Sequence, residues 1–182
     1  MNKIILATLF TLNSIIGGAC KKEQPIGPDS YGDGQKTEVP AALQGKWMYG
    51  YFSMTEYWSQ NPSEYIGNGF EMAIAFNFNA NGTYEQYFTS RTASAGISTY
   101  HQSLSKGTVE INTADKTITT HAATAHYKQT KNGKTVENRD LNENEITKTI
   151  VYTYETGNEP NGIPAIYLKM NGTGNSLAFL RK

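Results

Sequence analysis

From residue 70 to 78 the chain carries Phe70, Met72, Ile74, Phe76 and Phe78 at every second position. The residues between them, Glu71, Ala73, Ala75 and Asn77, are small or polar. A period of two predicts a strand with one buried face, because successive side chains of an extended chain point to opposite sides. Asn79, Ala80, Asn81, Gly82 and Thr83 follow as a turn, with Gly82 placed for a left-handed backbone. A three-residue loop at 80–82 sets Phe78 opposite Tyr84, Phe76 opposite Gln86, Ile74 opposite Phe88 and Met72 opposite Ser90. One face of the hairpin is then aromatic, with a single amide, Gln86, in its middle.

The same period recurs along the chain. Trp47, Tyr49 and Tyr51 alternate with Lys46, Met48 and Gly50 in a first strand. Residues 98–112 predict a fourth strand in which Tyr100, Gln102 and Leu104 are even but Val109 and Ile111 odd, so a bulge is expected near Lys106 and Gly107. A turn at 113–116 pairs Ile111 with Ile118, and a fifth strand over 117–128 continues that face through Thr120, Ala122, Thr124 and His126. Residues 129–144 are polar and predict a loop, with a turn at 131–134 able to carry a short hairpin. A sixth strand over 145–155 places Ile146, Ile150, Tyr152 and Tyr154 on one side, and the last two strands cover 163–170 and 176–182. Residues 52–69 show no clean period; Tyr57, Trp58 and Tyr65 are expected to plug one end of the core, with a mobile lid as the alternative. The fold predicted is all-β, an eight-stranded antiparallel up-and-down barrel, which hides its edges by closing on itself. At eight strands the interior is either filled by side chains or holds one small ligand.

The N-terminus adds a location. Lys3, an apolar run from Ile4 to Ile16 and small residues to Ala19 predict a secretory signal over 1–19, too short to span a membrane. Gly17-Gly18-Ala19-Cys20 resembles the lipobox of bacterial lipoproteins, with Gly17 where that box usually has Leu. The resemblance implies that Cys20 becomes the lipid-bearing first residue, with palmitate among its acyl chains. Two or more chains together anchor firmly. Lys21, where an Asp would imply inner-membrane retention, implies the cell outer membrane, on its periplasmic face or at the surface. Cys20 is the sole cysteine, so no disulfide supports the fold. Residues 20–40 are polar and rich in Gly and Pro, predicting a flexible tether before a domain over 41–182. Lys+Arg and Asp+Glu number 16 each, a balance that leaves no field to steer nucleic acid.

Gly45-Lys46-Trp47 on the first strand and Arg181 at the end of the last resemble the lipocalin-like (calycin-type) domains of bacterial envelope lipoproteins. That resemblance implies a guanidinium laid across the Trp47 indole to close one end of the barrel. It also implies a carrier of small apolar molecules.

The alternation turns Tyr49, Tyr51, Phe76, Gln86, Phe88, His126, Tyr152 and Tyr154 inward, a mixture of rings and a few polar groups that suits a ligand cavity. A solid core with hydrogen-bonded tyrosines satisfies the same pattern; the small Ala122 and Thr124 favour the cavity. His121 and His126, five apart on one strand, are expected on opposite faces and so not to share a metal, and His101 stands alone. There is no nucleophile elbow, phosphate loop or paired-cysteine motif. The expectation is therefore a non-enzymatic protein without metal or cofactor. It is anchored through Cys20 and binds a small apolar or amphipathic molecule. The alternative is an envelope protein-interaction module with a solid barrel and a partner the sequence does not name.

Overall fold

A computed structural model describes residues 30–50 and 70–182. The signal segment, Cys20, Tyr51 and the aromatic residues Tyr57, Trp58 and Tyr65 lie outside the described residues. Nine strands follow in order: β1 (Gly45–Tyr49), β2 (Phe70–Phe78), β3 (Thr83–Ser94), β4 (Ile97–Asn112), β5 (Thr117–Lys131), β6 (Lys134–Asp140), β7 (Thr149–Asn158), β8 (Pro164–Met170) and β9 (Leu177–Arg181). Every pairing is antiparallel. Eight of the strands close a ring in which β1 meets both β2 and β9, β4 meets β5, and β5 meets β7. The predicted eight-stranded barrel is the fold observed.

The β2–β3 hairpin has the register read from its alternation: Phe78 faces Tyr84, Phe76 faces Gln86, Ile74 faces Phe88 and Met72 faces Ser90. The turn between them closes with the Asn79 amide donating to the Thr83 carbonyl at 2.9 Å. Gly82 has φ +79°, and a Cβ there would strike the Thr37 carbonyl oxygen. Handedness and space both demand glycine at this position.

The bulge expected near Lys106 and Gly107 is found there, but its extra residue and the change of phase lie on β5 rather than β4. In β4, Ser103, Ser105, Gly107, Val109 and Ile111 keep one phase toward the interior, while Tyr100, Gln102 and Leu104 lie on the outer face with Arg91, Thr89 and Tyr87. The pairing steps from Lys106–Thr124 to Gly107–Ala122, leaving Ala123 as the extra residue of a β-bulge. Gly107 permits this because a Cβ there would run into the His121 backbone carbonyl. Beyond the bulge β5 reverses its faces: Ala125 and Tyr127 turn inward, and Thr124 and His126, expected inside, turn outward.

The bulge also divides β5 between two partners. Residues 117–121 pair with β7 and complete the barrel, while residues 126–131 pair with β6 beyond it. This is the hairpin extension that the turn at 131–134 foretold. Asn132 and Gly133 both take positive φ, as a two-residue hairpin turn requires. The next strand starts at Thr149 rather than Glu145, because residues 143–145 form a single tight helical turn. The Glu145 carboxylate there accepts from the Asn142 amide at 2.8 Å and takes both terminal nitrogens of Arg139 at 2.8 Å each.

Residues 30–40, expected to belong to the flexible tether, lie against the barrel. The Thr37 amide donates to Val109 O at 3.1 Å, the Ile111 amide donates to Thr37 Oγ1 at 2.8 Å, and the Val39 amide donates to Ala80 O at 3.2 Å. Val39 and Leu43 are buried in the core cluster beneath Trp47. Their apolar side chains cover the lower mouth of the ring, which gives this polar-looking segment a hydrophobic reason to dock.

That lower end is closed. The Trp47 indole N–H donates to Leu43 O at 2.8 Å, and the Arg181 guanidinium carbon stands 5.4 Å from the Trp47 ring. Arg181 also donates to Gln44 O at 3.3 Å. Above this plug the rings of Phe76 and Phe78 stack at 5.3 Å, with Tyr84, Val109, Ile118 and Ile166 buried around them.

Candidate ligand cavity

The upper half of the barrel is open inside. A cavity of about 420 Å³ is walled by Ile74, Phe76, Ile150, Tyr152, Leu168, Leu177 and Phe179, with Gln86 among them and Met170, Thr173 and Asn175 at the rim. Each wall residue comes from the inward phase of its strand: Ile74 and Phe76 from β2, Gln86 from β3, Ile150 and Tyr152 from β7, Leu168 from β8, Leu177 and Phe179 from β9. Phe76 anchors one side, meeting Tyr152 edge-on at 5.7 Å and Phe179 tilted at 5.5 Å.

Two polar groups sit low in this apolar space. The Gln86 amide stands beside the Tyr152 hydroxyl, and burial pushes that phenol up to about 12, with the amide partly offsetting the shift. One level down, Tyr84 lies beside Thr120, whose hydroxyl donates to Ile150 O at 3.4 Å. Both are almost wholly buried, at 1% and 2% exposed, so they mark the top of the packed half. Burial raises the Tyr84 phenol too. Neither tyrosine ionises near neutral pH, and both remain hydrogen-bond donors.

Of the residues expected to line the cavity, Phe76, Gln86 and Tyr152 do so. Phe88 keeps the inner face opposite Ile74 and Ser103 but is not among the lining residues. Tyr49 packs its ring 5.9 Å from Phe179, partly buried against the core. Tyr154 joins the core cluster, with Lys116 Nζ 5.7 Å from its ring. Tyr51 is outside the described residues. His126 is a correction: the bulge turns it outward, where its Nδ1 meets Asp140 at 2.7 Å and its Nε2 meets Asn138 at 2.9 Å on β6. Ile74, Ile150, Leu168, Leu177 and Phe179 line the cavity as well, at positions of the same two-residue period.

The three histidines all have partners on the protein. His121, placed on the same outer face as His126 by the extra residue between them, pairs its Nε2 with Glu110 at 2.7 Å. His101 is on the inner face, its Nδ1 2.6 Å from the Tyr127 hydroxyl. Among the described residues no three His, Cys, Asp or Glu side chains come together to hold a metal.

No family model, no curated protein and no solved structure matches this chain.

Proposed function

We propose that this protein is a lipoprotein of the cell outer membrane whose barrel binds a small apolar or amphipathic molecule. The observation that carries the reading is the cavity: about 420 Å³ of open interior, apolar on its walls, above a fully packed lower half. That volume falls in the ordinary range for small-molecule sites, which are mostly apolar with a few placed polar groups. Among the described lining residues none is a carboxylate, histidine, lysine or arginine, which supports a binder over an enzyme. The Trp47–Arg181 contact supports the lipocalin-like resemblance, and the Gly-Gly-Ala-Cys run supports the anchor at Cys20.

Native mass spectrometry of the protein purified from its own host tests the binding reading. A mass excess of small-molecule size that leaves on activation is expected. Leu177→Trp, which puts an indole into the cavity, should abolish that excess and also the uptake of the neutral fluorophore N-phenylnaphthylamine. A protein that carries nothing and takes up no fluorophore refutes the reading and favours an interaction module. The anchor has its own test. Cys20→Ala should shift the protein from the membrane fraction to the soluble periplasm; retention with membranes refutes it.

A further inference from the structure

Resting on the ligand-binding reading, we infer that the cavity selects an uncharged amphiphile and seats its polar end on the Gln86–Tyr152 pair. The placement of polar groups carries this. Gln86 and Tyr152 are the two polar side chains among the described lining residues below the rim; Gln86 stands opposite Phe76, and Tyr152 packs edge-on against the Phe76 ring at 5.7 Å. Above them the wall supplied by β2, β7, β8 and β9 is hydrocarbon, from Ile74, Ile150, Leu168 and Leu177, until Thr173 and Asn175 restore polarity at the mouth. A molecule that enters tail first would set methyl groups against an amide and a phenol, and both would lose hydrogen-bonding opportunities to water without replacement. A molecule that enters head first satisfies them. The amide has two N–H donors and a carbonyl acceptor and the phenol a hydroxyl, so the two side chains offer positions of both kinds to a ligand. A hydroxyl, amide or ketone uses them well.

An ionised head does not. Among the described lining residues a carboxylate would meet no Lys, Arg or His, and an ammonium would meet no carboxylate. The residues between β1 and β2 that are not described, 51–69, carry no Lys, Arg or His in their sequence but do carry Glu56 and Glu64, so an anionic head is disfavoured most. The described arginine that faces inward within the barrel strands, Arg181, is held over Trp47 at the closed end, below the packed layer. A buried charge without a partner is so costly that an acid would bind in its protonated form instead.

The test is displacement of N-phenylnaphthylamine from the wild-type protein by decanol, decanoate, decylamine and decane at neutral pH. Decanol is expected to bind tightest, with decanoate and protonated decylamine weaker by roughly tenfold or more. Decanoate should tighten as pH falls toward the carboxyl range of about 4–5, while decanol stays constant. Gln86→Leu should narrow the gap between decanol and decane. Decanoate equal to decanol at neutral pH, or an unchanged gap in Gln86→Leu, overturns head-group selection while leaving the cavity a binding site. Failure of all four compounds and of the fluorophore to bind overturns both.

Discussion

Single residues at two places decide whether the ring can close. At Gly107 the obstacle to any side chain is the His121 backbone carbonyl rather than a movable side chain, so strand separation must change to admit one. Gly107→Ala should cost on the order of 2 kcal/mol or more, read from chemical denaturation. Gly162, at the β7–β8 turn with open space around it, offers the contrast; its Ala variant should lose only the roughly 1 kcal/mol expected from its positive φ. At the closed end, Arg181→Ala removes the guanidinium from the Trp47 face and should cost about 0.5–2 kcal/mol. Val39→Ala, just beneath, should cost about 1.5–3 kcal/mol because that side chain is buried in the core cluster. The Val39 result also measures how firmly residues 30–40 are docked. A variant as stable as wild type would return them to the status of a tether.

At the scale of elements, the β5–β6 hairpin is held by ionisable pairs on both of its faces, so its stability should depend on pH. The Asp140 carboxylate, through its hydrogen bond, is the main cause that raises the His126 imidazole above its ordinary value of 6.5. A raised folded value means that the contribution is full below about 6.5 and is lost as pH rises through the folded value. Glu145 runs the other way. The Arg139 guanidinium is the largest influence pulling it down, to about 2, so its contribution is full above about 4.5 and is lost as pH falls through about 2. Amide exchange in residues 134–140, corrected for intrinsic rates, should therefore show greatest protection between those limits. His126→Gln should flatten the alkaline arm and leave the acid arm in place. An alkaline arm unchanged in that variant removes His126 from the account.

Much of this architecture is written in the period of two. The β2–β3 register follows from Phe70 to Phe78 because each face has an unmistakable composition, and the Asn79–Thr83 closure follows from a glycine at the one place that needs it. What the period hides is an insertion. Ala122, Ala123 and Thr124 are all small, so nothing in their polarity marks where β5 changes face, and the uncorrected phase carries His126 inward. β4 misled in the opposite sense. Tyr100 and Gln102 are buried although they face outward, so they imitate core residues. The cavity was legible only in part for a related reason. Ile150, Leu168 and Leu177 show that they face in, but no single strand tells whether its inward residues touch across the barrel or leave room.

For the whole molecule, the walls differ in height. β4 runs 16 residues and β5 15, whereas β8 has 7 and β9 5. With about 3.4 Å gained per residue, one flank rises tens of ångströms past the level where the other ends at Met170 and Leu177. A vessel cut down on one side is not a molecular ruler. In the proposed mode of binding the bottom selects among chemical groups, while no described strand continues above the low flank to stop a long alkyl tail. Across a homologous series of alcohols, affinity should climb with each added methylene until the tail clears Met170, then level off rather than collapse. A sharp cutoff in length, measured by the same displacement titration, would mean that the rim is walled all the way round.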